Sequence, residues 1–208
     1  MNVLLNKVAI VVGASSGIGY ATAKLFAAEG ASVVVAARRQ AELDGLVDEI
    51  TQSGGTAIAH AGDVRDESFA KALVDLACER FGGLDIAFNN VGTLGPMGPT
   101  PDVSLEDWTK AVETNLTSAF LAAKYQAPAM VARGGGSLIF TSTFVGHTVA
   151  FPGMVTYAAS KSALIGLAQA LAVEFAMQGV RANAILPGGT DTAMYREMND
   201  TKEAQDFV

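Results

Sequence analysis

Short apolar runs alternate with longer amphipathic segments along the chain, and this alternation constrains the fold more than any other feature. The runs are rich in Val, Ile, Leu and Ala with little polar alternation, which is typical of strands buried on both faces of a parallel sheet. The predicted strands are 8–12, 32–36, 56–60, 84–88, 137–141 and 180–185. The predicted helices are 18–29, 40–53, 67–81, 105–131 and 154–178. The pattern predicts an α/β fold, with one domain over 1–208 in which helices cover both faces of a doubly wound parallel sheet.

Composition excludes several classes of protein. Hydrophobic residues make up 50% of the 208 residues and charged residues 17%, which excludes a disordered chain or a coiled coil. The net charge of -7 gives no sign of the basic patch that nucleic-acid binding requires, so we expect no such partner. The single cysteine, Cys78, fits a reducing compartment or, as we expect, a small buried position. No His, Cys and carboxylate spacing suggests a metal site.

Two apolar stretches need to be weighed against membrane or export signals. The first is interrupted by Lys7 and runs directly into a glycine-rich turn rather than a cleavage site. The second, 134–160, lacks charges but contains Pro152, several glycines and many hydroxyl groups. We therefore expect a cytoplasmic protein without a membrane segment.

A glycine-rich turn, G-A-S-S-G-I-G, follows the first predicted strand and opens the first helix. Glycines let the backbone approach a diphosphate, and the helix N-terminus offers free N–H groups and a positive dipole end. A tight structural turn is the alternative. The cofactor-binding residues predicted here are Gly13, Ser15, Ser16, Gly17, Ile18 and Gly19.

The second predicted strand ends at Arg38 and Arg39, where dinucleotide sites usually place an acidic residue. Two guanidinium groups suit a 2'-phosphate, so the sequence favours NADP(H), with NAD(H) possible. The alternative is that both arginines lie on a solvated helix start. Asp63, followed by Val64, accepts a hydrogen bond from adenine or serves as a loop cap before Asp66.

Further candidates lie after the fourth and fifth predicted strands. Asn90, Val91 and Gly92 belong to an N-N-V-G turn whose glycine admits a ligand beside the backbone. Either Ser142 or Thr143 can hold a substrate oxygen, since adjacent strand residues face opposite ways. The apolar segment 149–155 lines a hydrophobic substrate pocket or forms a packed loop.

The sequence Y-A-A-S-K places Tyr157 and Lys161 four residues apart. On a helix these residues share a face, so the ammonium group lies beside the phenol and favours the phenolate. That pairing predicts an acid/base pair active near neutral pH. An isolated Tyr–Lys pair is also common on the surface of helices.

Together these motifs resemble the short-chain dehydrogenase/reductase family. The G-A-S-S-G-I-G turn, N-N-V-G, Asn115, T-S-T-F-V-G, Y-A-A-S-K and P-G-G-T-D-T occur in the order and spacing of that family. The resemblance implies a Rossmann-like fold and hydride transfer between NADP(H) and a carbonyl or secondary alcohol. It also implies a small-molecule substrate and a homodimer or homotetramer.

The resemblance also assigns roles to residues. Tyr157 is the acid or base, and Lys161 lowers its pKa and binds the nicotinamide ribose. Asn115 kinks its helix to hold a water in a proton relay. The segment that clasps the nicotinamide carboxamide contains Pro187, Gly188, Thr190 and Thr192.

Two departures from the family pattern leave other functions open. Thr143 stands where the family usually has Ser, with Ser142 as the possible substitute. The family's last helix and last strand have no counterpart in 1–208, and 193–208 resembles the start of a substrate lid. We expect the sequence to be incomplete, and loss of an edge strand from the natural protein is the alternative. A 3-oxoacyl carrier-protein reductase and a catalytically weak NADP-binding sensor are the alternatives.

Overall fold

Six parallel strands form one sheet in the computed structural model of the chain, which describes residues 2–198. The strands are β1 (Val8–Val12), β2 (Ser32–Ala37), β3 (Thr56–Ala61), β4 (Ile86–Asn89), β5 (Gly136–Thr141) and β6 (Val180–Ile185). Their order in the sheet is β3-β2-β1-β4-β5-β6. The order reverses between β1 and β4, and ligands of such sheets bind at the carboxyl ends of the strands beside that reversal. The predicted doubly wound, Rossmann-like fold is confirmed.

Helices connect every pair of consecutive strands. They are α1 (Gly17–Ala28), α2 (Gln40–Gln52), α3 (Glu67–Phe81), α4 (Leu105–Val112), α5 (Ser118–Arg133) and α6 (Val155–Phe175), and α7 (Ala193–Met198) follows β6. A π-helical turn, Glu113–Thr117, joins α4 to α5, so the predicted helix 105–131 is interrupted. The predicted strand 84–88 begins and ends later, at Ile86–Asn89, and the Asp85 carboxylate just before it accepts from the Val8 N–H.

Successive side chains along β1 pack alternately into two hydrophobic cores, one on each face of the sheet. Val8, Ile10 and Val12 face α3, α5 and α6, whereas Ala9 and Val11 face α1 and α2. All five are buried, which explains why β1 reads as a continuous apolar run. A fully buried Val or Ile side chain contributes roughly 1.5–3 kcal/mol, so the sheet's centre is its most stable part.

Some predictions about the rest of the chain differ from the structure or fall outside it. The buried position expected for Cys78 is wrong: its side chain is exposed, and the neighbouring Ala77 packs into the core instead. The predicted domain 1–208 and lid 193–208 both include 199–208, which lie outside the described residues. Within 2–198, none of the helices has the length and apolar character that crossing a bilayer requires.

Candidate active site

A cleft of about 1600 Å³ runs along the carboxyl ends of the strands. Segments that follow β1, β2, β3, β4, β5 and β6 all contribute to its lining. Every residue singled out for the cofactor, the substrate oxygen or catalysis lines this cleft except Gly19 and Asn115, which lie behind it. Of the segment 149–155, Phe151, Pro152 and Met154 line it. The sheet therefore gathers at one edge residues that are far apart in the sequence.

The glycine turn is built for close approach of a ligand to the backbone. Gly13 (φ 82°) and Gly17 (φ 57°) adopt left-handed conformations, and the Gly13 N–H donates to the Ala36 carbonyl. α1 begins at Gly17 without a side-chain cap and without an acidic residue in its first turn. Its first N–H groups therefore remain free for an anion such as a diphosphate.

Gly19 has a different role from the other glycines of the turn. A Cβ at this position would overlap the Gly13 carbonyl oxygen and lie 3.0 Å from the Asn90 Nδ2. Gly19 therefore allows α1 to pack directly on the turn. Its contribution to a ligand site is indirect.

Three guanidinium groups, those of Arg38, Arg39 and Arg65, line the part of the cleft where the sequence predicts the adenosine of a dinucleotide. Arg39 donates to the Ser15 hydroxyl (3.0 Å) and pairs with Glu42. Arg65, which sequence analysis missed, donates to both carboxylate oxygens of Asp63. This ion pair lowers the pKa of Asp63, and the charge of Arg38 adds to the effect. The signal for Arg65 was only its place two residues after Asp63.

For Asp63 the sequence left two roles open, a hydrogen bond to adenine and a loop cap before Asp66, and the structure does not select one of them. Asp66, not Asp63, caps α3 by accepting from the Ser68 N–H (2.8 Å). The Asp63 carboxylate accepts from the Arg65 N–H (3.0 Å) and side chain, forming a turn beside the cleft. Val64 lines the cleft next to it.

Asn115 lies in the π-helical turn and is 1% exposed. Its Oδ1 accepts from the Thr93 N–H (2.8 Å), and its Nδ2 donates to the Thr93 carbonyl (2.9 Å) and the Ser160 hydroxyl (2.9 Å). The carboxamide thus joins the loop after β4 to α6. Ser160 was not singled out from the sequence, because its pairing with Asn115 spans 45 residues.

Lys161 is 3% exposed, and its ammonium group is held by main-chain oxygens. Nζ donates to the Val91 carbonyl (3.0 Å) and the Thr141 carbonyl (2.6 Å). Burial lowers the pKa of Lys161 to about 8. A Cβ on Gly92 would lie 2.9 Å from Nζ, so any other residue there would displace the ammonium group.

Tyr157 lines the cleft one helical turn before Lys161 and is 9% exposed. Burial raises the pKa of its phenol, and the neighbouring Thr143 hydroxyl partly offsets that rise. The lowering by Lys161 expected from the sequence is not seen. The reason is that the phenol packs among Val145 and Met154, while the ammonium group is directed to carbonyl oxygens.

The two hydroxyl residues after β5 face different partners. The Ser142 hydroxyl donates to the Lys161 carbonyl (2.7 Å), which engages it in holding α6 against β5. The Thr143 Oγ1 accepts from the Val145 N–H (3.1 Å) and lies beside the Tyr157 phenol. Of the two, Thr143 is therefore the one placed next to the candidate acid.

The segment after β6 closes the cleft from the other side. Its cleft-lining members include Pro187, Gly188, Thr190 and Thr192. A Cβ on Gly17 would lie 3.1 Å from the Thr192 methyl, so this segment reaches the glycine turn. Its position suits a clasp across the middle of an extended ligand.

Comparison with known proteins agrees with this geometry. The sequence profile of the family described as short chain dehydrogenase matches residues 7–203. Cyclohexanol dehydrogenase of Acinetobacter sp. (strain SE19) is 37% identical over 197 residues, covering 95% of this chain and 78% of that protein. The 2,5-dichloro-2,5-cyclohexadiene-1,4-diol dehydrogenase LinX of Sphingobium indicum is 40% identical, covering 92% of this chain and 76% of that protein.

A solved structure extends the likeness to three dimensions. It is 7α-hydroxysteroid dehydrogenase complexed with NADH and 7-oxo glycochenodeoxycholic acid. It superposes with a TM-score of 0.90 at 36% identity, covering 96% of this chain and 77% of that one. The chain belongs to the short-chain dehydrogenase/reductase family and is an oxidoreductase that acts on CH–OH groups.

Proposed function

We propose that the protein transfers a hydride between NADP(H) and a carbonyl or secondary alcohol, with Tyr157 as the acid or base. The observation that carries this proposal is the Tyr157 phenol beside Thr143 in the same cleft as an uncapped glycine turn. The free N–H groups of the turn and the nearby guanidinium groups fit a dinucleotide. When bound, the nicotinamide supplies or accepts the hydride.

In the direction of reduction, the Tyr157 phenol gives its proton to the carbonyl oxygen as the carbonyl carbon is reduced. The burial that raises its pKa keeps the phenol protonated at neutral pH, as an acid must be. The Thr143 hydroxyl orients the same oxygen by hydrogen bonding. In alcohol oxidation the two proton movements reverse.

Lys161 and Asn115 hold this arrangement in place. We assign Lys161 to binding the nicotinamide ribose and to returning a proton towards Tyr157. Its pKa of about 8 leaves it mostly protonated at neutral pH and able to exchange that proton. The carboxamide of Asn115 is fully engaged by Thr93 and Ser160, so we assign the water of the relay to the backbone of its π-helical turn.

The cofactor preference is for NADP(H), with NAD(H) accepted more weakly. Arg38 and Arg39 line the cleft where β2 ends, and no carboxylate stands at that position. Arg65 lies nearby but is paired with Asp63, so the preference rests on Arg38 and Arg39. A 2'-phosphate matches these donors better than a bare ribose does.

The partner is a small molecule together with further copies of the chain. α6 is hydrophobic around its whole circumference, which is typical of a helix buried on all sides. Yet Val173 is 82% exposed and Met177, just beyond the helix, is 95% exposed. The exposed apolar face that these two residues form supports a homodimer or homotetramer. The exposed free thiol of Cys78 supports a reducing, cytoplasmic location.

The test is ketone-dependent oxidation of NADPH and NADH by wild type, Tyr157→Phe and the matched control Tyr20→Phe. The Tyr20 hydroxyl bonds to Glu49 on the protein surface, outside the cleft. We expect turnover to be faster with NADPH and to fall roughly 10²–10⁴-fold in Tyr157→Phe, because a general acid is lost. Tyr20→Phe should match wild type. Tight NADPH binding without any turnover would contradict the proposal and indicate a sensor.

A further inference from the structure

Two loops meet at the end of the cleft that holds Tyr157. One follows β4 (90–104) and the other follows β5 (142–154). The Gly98 N–H donates to the Gly153 carbonyl (3.0 Å), and a Cβ on Gly153 would lie 3.2 Å from the Gly98 nitrogen. The two backbones are therefore pinned together at close range.

The side chains that these loops turn into the cleft form an apolar wall. Its members are Pro96, Met97, Phe144, Val145, Phe151 and Met154. The wall is continuous with the candidate acid, because Val145, Met154 and Tyr157 form one buried cluster against which Phe144 packs. A molecule whose carbonyl reaches Tyr157 must place its remaining atoms along this surface.

Phe151 is the most prominent member of the apolar wall. Its ring meets the Phe144 ring edge to face, with centroids 6.3 Å apart and an interplanar angle of 83°. This edge-to-face contact is an ordinary geometry for aromatic pairs, and through it Phe144 orients the Phe151 ring. Phe151 remains 43% exposed and Met97 54% exposed, so apolar area faces the cleft without a partner in the described part of the chain.

The charges that line the cleft do not favour an anionic substrate at this end. Arg38, Arg39 and Arg65 follow β2 and β3, at the cofactor end. On α4, Lys110 pairs with Glu106 (2.6 Å), and Asp107 accepts from the Ser104 hydroxyl (2.8 Å). A carboxylate on the substrate would lose water beside the apolar wall without gaining a free cation from residues 2–198.

We propose that the apolar wall selects uncharged ketones and secondary alcohols whose body is apolar, and that Phe151 is its specificity-determining residue. This inference rests on the proposed function and assigns its substrate class. Phe151 contacts the part of the substrate that does not react. Its loss should therefore raise KM more than it lowers kcat.

The test compares three ketones with the wild-type enzyme and NADPH. They are 4-methylcyclohexanone, its charged analogue 4-oxocyclohexanecarboxylate, and acetone, which lacks the carbons that would extend from Tyr157 along the apolar wall. We expect kcat/KM for 4-methylcyclohexanone to exceed that of either other ketone at least about tenfold, the range that one apolar group provides in a hydrophobic pocket.

The variants are Phe151→Ala, Phe151→Leu and the control Leu25→Ala, an exposed apolar residue on α1 outside the cleft. Phe151→Ala should lower the ratio of kcat/KM between 4-methylcyclohexanone and acetone about tenfold. Phe151→Leu should restore most of that ratio, and Leu25→Ala should leave it unchanged. Circular dichroism and the NADPH dissociation constant establish that each variant is folded with an intact cofactor site.

The outcomes separate this inference from the proposed function. Wild type that reduces the charged ring ketone as well as the neutral one would overturn the inference and leave the proposed function standing. An equal loss with acetone and with the ring ketone in Phe151→Ala would show that Phe151 supports the loops rather than the substrate, and would also overturn it. If none of the ketones and none of the matching alcohols is turned over, the proposed function fails, and the inference fails with it.

Discussion

Replacing Gly19 by alanine tests whether the close packing of α1 on the glycine turn is required. The added Cβ would overlap the Gly13 carbonyl oxygen and lie 2.8 Å from its carbonyl carbon. Both are backbone atoms of a turn that is itself bonded to the Ala36 carbonyl, so they cannot rotate away. α1 must therefore move outward from the sheet, which weakens its contacts in the core.

The magnitude follows from two opposing effects. Overpacking in a close-packed site costs roughly 1–3 kcal/mol. Alanine in a helix gains about 0.5–1 kcal/mol over glycine from lower conformational freedom in the unfolded chain. The net expectation for Gly19→Ala is a loss of about 1–2 kcal/mol in the free energy of unfolding.

Gly45→Ala provides a matched control because it makes the same substitution in a helix without the steric conflict. Gly45 lies in the interior of α2, is exposed, and a Cβ there would meet nothing within 4 Å. This variant should gain about 0.5–1 kcal/mol. Urea unfolding followed by circular dichroism measures both, and titration with NADPH should show weaker binding only for Gly19→Ala. Equal stability of the two variants, or unchanged NADPH affinity in Gly19→Ala, would refute the reasoning.

Two further predictions concern the acid and its neighbours. Burial holds the pKa of Lys161 at about 8, below that of the unfolded chain, so the unfolded state binds more protons above that pH. The free energy of unfolding of wild type relative to Lys161→Met should therefore rise as pH increases from about 8 to about 10, as measured by urea unfolding, and a flat difference would contradict this. Thr143→Ala should lower kcat/KM roughly 10²-fold through loss of a substrate hydrogen bond. Ser142→Ala should instead cost about 1 kcal/mol of stability, with turnover little changed. Steady-state kinetics and urea unfolding measure both variants. Lost turnover in Ser142→Ala with normal turnover in Thr143→Ala would refute the assignment of Thr143 to the substrate oxygen.

Local patterns allowed much of the fold to be predicted from sequence. β1 is buried on both faces and reads as an unbroken apolar run, and the glycine turn follows it directly. Such features depend on residues within one turn or strand, so a single sequence displays them. Cys78 shows where this fails, because a helix has only one core-facing stripe and a shift of one residue leaves Ala77 inside and the thiol outside.

The contacts that position the candidate site could not be predicted in the same way, because they join distant segments. Asn115 bonds to Thr93, 22 residues away, and to Ser160, 45 residues away. Neither spacing corresponds to the repeat of a helix or a strand, so no pattern in the sequence indicates these contacts. The same holds for the direction of the pKa shift of Tyr157, which depends on Val145 and Met154 packing around the phenol.

Lys161 shows how the sheet order determines the geometry of the site. Its ammonium group bonds to the Thr141 carbonyl at the end of β5 and to the Val91 carbonyl just beyond β4. These two acceptors are close together only because β4 and β5 are neighbours in the sheet. Since Tyr157 lies one turn earlier on the same helix, fixing Lys161 to the two strand ends also fixes the phenol relative to Thr143. The position of the candidate acid is thus a consequence of strand adjacency, and a change that separated β4 from β5 would displace the acid without altering α6 itself.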